Sequence, residues 1–87
     1  MSIKENLLSD LVKYVKENTY KETQSLTTDS KLFTEGIFDS MGFVLLLDYL
    51  EEKYSVVADD DELVEENFES IDAISSFILK KIALASY

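Results

Sequence analysis

Gly36-Ile37-Phe38-Asp39-Ser40-Met41, followed at once by Gly42-Phe43-Val44-Leu45-Leu46-Leu47-Asp48-Tyr49-Leu50-Glu51-Glu52-Lys53-Tyr54, is the stretch from which the fold is read. The second segment lacks proline and carries apolar residues at 43, 46, 47, 50 and 54, the spacing of one buried helical face. Asp39 is placed as its N-cap, where a carboxylate accepts a first-turn N–H and sets negative charge at the positive end of the helix dipole. Phe38 and Phe43 then fall at N′ and N4, the two positions of a hydrophobic staple. Ser40 lands in the first turn with its hydroxyl outward. Serine before a helix is common, so the same residues also allow Ser40 to be the N-cap and nothing more.

Upstream, Ser2 and Glu5 have capping-box spacing, and Ile3, Leu7, Leu8, Leu11, Val12 and Val15 make one apolar stripe, which predicts a helix from about residue 3 to 18. Residues 19 to 39 read as a long connection rich in threonine, serine and lysine. Such loops are uncommon in compact domains; Leu26, Leu32, Phe33, Ile37 and Phe38 supply the means to pin this one across a bundle, with a tight turn at Gly36.

Downstream, Asp59-Asp60-Asp61-Glu62 is a run of four acids. It lacks the alternating ligands, central glycine and distant terminal glutamate of a calcium loop, so no metal is assigned. It reads instead as the solvated start of a short third helix, about 61 to 66. Ser70 is placed to cap a last helix with Ile71, Ile74, Phe77, Ile78 and Ile82 inward and Lys80 and Lys81 near its C-terminal end. Residues 54 to 57 allow a brief extended segment. The fold expected is all-α: a small four-helix bundle with a long first loop and a short third helix, residues 1–87 forming a single domain.

Composition narrows what such a bundle can do. A chain of 87 residues buries only about 60 to 65% of the surface its unfolded form exposes, enough for one core. With neither cysteine nor histidine, it has no thiolate nucleophile, no disulfide and no ordinary general base near neutral pH. Independent catalysis is not expected. The net charge of −10, from 18 acids against 8 lysines, disfavours nucleic acid and anionic membranes and favours basic protein patches. The longest apolar run, 43 to 47, is too short to cross a bilayer, and the first residues lack a signal-peptide hydrophobic region, so a cytoplasmic protein is expected.

The run Leu32 to Gly42 resembles the attachment region of acyl carrier proteins, in which an Asp-Ser-hydrophobic triplet opens the second helix of a small bundle. Leu50-Glu51-Glu52-Lys53-Tyr54 is similar to the end of that family's second helix, and Asn67 to Ile78 to the entry into its last helix. The similarity runs from about Leu7 to Ile82 in family order. The resemblance implies a stand-alone carrier whose Ser40 receives 4′-phosphopantetheine from coenzyme A, joined as a phosphodiester by a magnesium-dependent phosphopantetheinyl transferase. Acyl or aminoacyl groups then ride on the arm as thioesters.

The same resemblance gives Asp39 a supporting role and Met41 a contact beside the arm, although methionine at that position is equally compatible with burial. Leu45, Asp48, Glu51, Glu52, Asp60, Asp61, Glu62 and Glu65 would complete a face for the transferase, a loading ligase and downstream enzymes with basic patches. A monomer is expected. Gly42 and Leu45 stand where fatty-acid carriers usually have acids, which points to a specialised pathway such as polyketide, aminoacyl or cell-envelope synthesis. The alternative is an unmodified acidic interaction module.

Overall fold

The computed structural model describes residues 3–19, 24 and 26–85, with side chains as far as 83. Its helices are α1 (Ile3–Glu17), α2 (Ser40–Tyr54), the single turn α3 (Glu65–Phe68) and α4 (Ile71–Ala85), with a 3-10 turn at Asp60–Glu62. No strand occurs among the described residues, so 54 to 57 form none. The expected capping box of Ser2 and Glu5 lies outside the described residues, because Ser2 does.

Leu7, Leu11 and Val15, four residues apart, bury one stripe of α1, with Leu8 and Val12 half-buried beside it. Ile3 departs from the expected stripe. It is 72% exposed, because the first residue of α1 projects a full turn before Leu7 reaches the core. From α2, Leu46 and Leu50 are buried, and Phe43, Leu47 and Tyr54 pack partly against the core. Tyr14 of α1 stacks on Tyr49 of α2 with ring centroids 4.0 Å apart. The Tyr54 hydroxyl donates to Asp10 at 3.4 Å, and burial is the main cause that pushes this phenol above its ordinary 10.0.

Two left-handed turns lie on either side of α2, one in the loop before it and one at its end. At Gly36, φ is 75°. The Ile37 N–H bonds the Leu32 carbonyl at 2.8 Å and the Gly36 N–H bonds that of Phe33 at 3.1 Å, a Schellman motif whose apolar pair, Leu32 and Ile37, is buried. At the end of α2, Ser55 adopts φ 57° and its N–H returns to the Glu51 carbonyl. A side chain there carries a steric cost of about 1 kcal/mol that glycine avoids. Ser55→Gly is expected to stabilise the fold by no more than about 0.5 kcal/mol after glycine's larger unfolded-state entropy is counted. Urea unfolding measures it, and a lower midpoint would contradict the strain assigned to Ser55.

The long first connection is held by the far end of the chain. The Leu32 N–H donates to the Glu69 carbonyl and the Asp72 N–H to the Thr28 carbonyl, both at 2.8 Å, while Lys31 Nζ pairs with Glu69 at 3.0 Å. Within the loop, the Thr27 hydroxyl bonds Asp29, holding that carboxyl below its usual range. An aromatic series ties the loop to the remaining helices. Phe33 meets Phe43 at 5.6 Å, Phe43 meets Phe68 at 5.2 Å, and Phe68 meets Phe77 at 5.1 Å. The staple expected between Phe38 and Phe43 is therefore indirect: Phe33 contacts both rings, since it also lies 6.2 Å from Phe38.

The third helix is later and shorter than 61 to 66. The Asp59 N–H donates to Glu62 Oε1 at 2.9 Å and Lys81 Nζ to the same oxygen at 2.7 Å, which holds the acidic run as a 3-10 turn. Val64 is extended, and the α-turn starts at Glu65, where it delivers Phe68 to the core. Lys81 thus bonds the acidic turn and does not serve the C-terminal end of its own helix. Ser70 caps α4 as expected, its hydroxyl accepting from the Ala73 N–H at 3.1 Å. Ile71, Ile74, Phe77 and Ile78 are buried, but Ile82 is 39% exposed as the last turn of α4 leaves the core.

The Lys81 hydrogen bond is the leading cause that lowers the Glu62 carboxyl below its ordinary 4.5. A depressed acid contributes stability above its unfolded value and loses it as pH falls through the folded value. Glu62→Gln should unfold at lower urea than wild type near neutral pH, and the gap should close in the acid range below 4.5. Parallel curves down to pH 3 would show that this pair does not contribute to acid sensitivity.

Candidate functional site

The turn at Gly36 throws the chain back over the start of α2, and everything around Ser40 follows from that. Phe38, buried, donates its N–H to the Leu32 carbonyl at 3.0 Å, so the residue before the cap is fixed from below. Asp39 is extended at φ −108°, its Oδ1 accepts the Gly42 N–H at 2.9 Å, and its carbonyl accepts the Phe43 N–H at 2.9 Å. Those are the side-chain and main-chain bonds of an N-cap. The cap is Asp39; Ser40 is the first helical residue, and it is exposed. Among the described residues nothing holds its hydroxyl.

Gly42 matters because of what lies under it. A Cβ there would come within 3.1 Å of the Phe38 ring, so the bare backbone lets that ring lie flat against the first turn. Next to this turn is a groove of about 680 Å³. Asp39, Met41, Gly42 and Leu45 form one wall, Gly36, Ile37 and Phe38 the floor, and Glu17, Asn18 and Thr19 at the end of α1 the other wall. The Thr19 hydroxyl donates to the Ile37 carbonyl at 2.8 Å and so joins wall to floor. The contribution of α1 was not legible from the sequence, where nothing in Glu17-Asn18-Thr19 distinguishes it from an ordinary helix end.

Met41 is 66% exposed, so it is not a core methionine, and Val44 and Leu45 are about half exposed beside it. The rim of Ser40 is thus apolar and uncharged apart from Asp39. Asp48, Glu51 and Glu52 are exposed further along α2, and Asp60, Asp61 and Glu65 are exposed after it. Glu62 stands apart from this set. It is half-buried, and its carboxylate is engaged by Lys81 and the Asp59 N–H, so it holds the fold together and does not face solvent as a docking acid.

Chemically, the arrangement presents a nucleophile without a base. Asp39 is committed to the Gly42 amide, and the sequence has no histidine. No three His, Cys, Asp or Glu side chains come together to hold a metal among the described residues, and none of the described helices is long and apolar enough to cross a membrane.

Comparisons with known proteins agree with that geometry. The profile of the family described as "Phosphopantetheine attachment site" matches residues 9–78. Ten solved chains are similar. One, from a crystal structure described as "FAD-dependent dehydrogenase", superposes with a TM-score of 0.63 at 29% identity, over 68% of this chain and 83% of that one. No curated protein matches the chain. With the family profile spanning most of its length, this chain belongs to the phosphopantetheine attachment site family, as a non-catalytic carrier of covalent 4′-phosphopantetheine.

Proposed function

We propose that Ser40 is the attachment residue, and that residues 1–87 act as one stand-alone carrier domain for acyl or aminoacyl groups in a specialised pathway. The observation that carries the assignment is the division of labour at the start of α2: Asp39 takes the cap, leaving the exposed Ser40 hydroxyl with no structural task. The residues fit the group. A phosphodiester on Ser40 would lie at the positive end of α2, where helix dipoles favour an anion. When bound, the arm supplies a thiol that carries its cargo as a thioester. In the loading reaction the Ser40 oxygen bonds the phosphorus that coenzyme A presents, the pyrophosphate bond breaks, 3′,5′-ADP departs and the hydroxyl proton is lost. The transferase does this chemistry; this chain contributes a positioned oxygen and the Asp39 cap that orients the turn.

The partner face is read from charge and exposure. Met41 and Leu45 flank Ser40, and Asp48, Glu51, Glu52, Asp60, Asp61 and Glu65 lie further out. Close contacts with a transferase, a loading ligase and later enzymes would be apolar, with basic patches meeting the outer acids. The likeness to a chain in a structure described as "FAD-dependent dehydrogenase" supports a flavin dehydrogenase as one client acting on the carried group. Charge and hydropathy support a cytoplasmic monomer.

The test is intact mass after incubation with coenzyme A, magnesium and a promiscuous phosphopantetheinyl transferase. One added phosphopantetheine, located to the peptide containing Ser40, is expected. No addition by several transferases to folded, unmodified protein would favour the interaction-module reading.

A further inference from the structure

We propose that Gly42 and Phe38 together are positioning residues for the loading reaction: the Phe38 ring, seated against the bare backbone of Gly42, sets where the first turn of α2 holds the Ser40 oxygen. This rests on Ser40 being the attachment residue. The chain has two glycines, and they are called for by different things. Gly36 needs its φ of 75°, whereas Gly42 lies inside α2 and its φ is not positive, so its backbone conformation does not require glycine. Glycine is also among the poorest helix formers, so local propensity argues against it there. What requires it is space. A Cβ at 42 would meet three atoms of Phe38, the ring Cδ1 at 3.1 Å and Cβ and Cγ at 3.3 Å each.

The consequence of that contact depends on which side can yield. Two of the three atoms, Cβ and Cγ, stand next to the Phe38 backbone, so swinging the outer ring away does not relieve them. The Phe38 N–H is bonded to the Leu32 carbonyl at 3.0 Å, its side chain is 4% exposed, and the rings of Tyr14 and Phe33 each stand 6.2 Å from its own. Phe38 is therefore held from several sides in a densely packed interior. The start of α2 is held more lightly. Asp39, Ser40 and Met41 are exposed, and the cap bond at 2.9 Å ends on Gly42, the residue that would have to move. A methyl at 42 thus displaces the turn by a few tenths of an ångström, and Ser40 with it. Because that methyl points at a buried ring, it adds little to the outer surface around Met41 and Leu45.

A displaced oxygen slows the chemical step without weakening docking. Misplacement by about 1 Å can cost roughly 100-fold in rate, so a few tenths should cost about fivefold. A loss shared equally by kcat and kcat/KM, with KM unchanged, marks an interaction realised only in the transition state.

The experiment measures initial rates of phosphopantetheine transfer by intact mass, at varied carrier concentration, with coenzyme A, magnesium and a promiscuous transferase. Wild type, Gly42→Ala, Phe38→Met and the double variant are compared, after amide spectra verify that each is folded. Gly42→Ala is expected to lower kcat about fivefold and leave KM unchanged. The unbranched, flexible side chain of Phe38→Met can move aside, so adding Gly42→Ala in that background should cost less than about twofold. An unchanged rate in Gly42→Ala, a loss confined to KM, or a fivefold loss that persists beside Phe38→Met would each overturn the positioning role. So would a Gly42→Ala chain that fails to fold, since the contact would then serve the core as a whole. All of these leave the carrier reading intact. That reading fails separately, when wild type itself gains no mass, and the positioning role would fall with it.

Discussion

Ser40→Ala is expected to take transfer of the arm from completion to nothing, while its unfolding midpoint stays within about 0.5 kcal/mol of wild type, as for an exposed residue without structural bonds. The expectation combines two facts about one turn. Ser40 supplies the one hydroxyl at the start of α2, and the bond that ends the helix belongs to Asp39, whose Oδ1 takes the Gly42 N–H at 2.9 Å. Asp39→Ala therefore makes the opposite partition. Losing the cap should lower stability by about 1 kcal/mol, and transfer should slow without stopping because the oxygen is still present. Intact mass over time and urea unfolding of the two variants, side by side, separate the roles. If Ser40→Ala destabilised by a full kcal/mol and Asp39→Ala did not, Ser40 would be the cap after all; if Ser40→Ala still gained the arm, the attachment residue would lie elsewhere.

Phe68→Ala should remove a large part of the chain's stability. The side chain is 1% exposed and is flanked by Phe43 and Phe77 at 5.2 and 5.1 Å, so it is where α2, α3 and α4 meet. Removing a buried phenylalanine costs about 3 to 5 kcal/mol through lost burial and the cavity left behind. A domain of this length has only roughly 4 to 13 kcal/mol to lose. Ile3→Ala, at 72% exposure, is the matched control and should shift the midpoint by less than about 0.5 kcal/mol. A loss under 1 kcal/mol for Phe68→Ala would mean that α3 does not anchor the bundle as drawn. Because the series continues through Phe43 to Phe33, the variant should also loosen the first loop, visible as faster amide exchange at Leu32 and Ile37.

What was legible in the sequence was whatever is decided within a few residues of the chain. The 3.6-residue spacing of Leu7, Leu11 and Val15, and of Leu46 and Leu50, gave the long helices, and local hydrogen-bond chemistry gave Asp39 and Ser70 as candidate caps and Gly36 as a tight turn. The carrier family followed from residues adjacent in sequence, as did the exposure of the Asp-Ser junction on which the site depends.

Tertiary structure decided everything that joins distant residues. Glu62 looked like one more solvated acid until Lys81, 19 positions on, closed on it and moved the short helix to Glu65–Phe68. The loop's anchors are backbone groups of Leu32 and Thr28 meeting Glu69 and Asp72, and backbone groups leave no mark in a sequence. Ile3 and Ile82 carry the same apolar side chains as their buried neighbours, and only where each helix leaves the bundle determines that they face water. The groove beside Ser40 is of the same kind: one side of it comes from Glu17, Asn18 and Thr19, whose side chains carry no signal of their own until the turn at Gly36 folds the start of α2 against them. Local propensity sets which elements form, whereas packing, which acts through space and not along the chain, sets what those elements enclose.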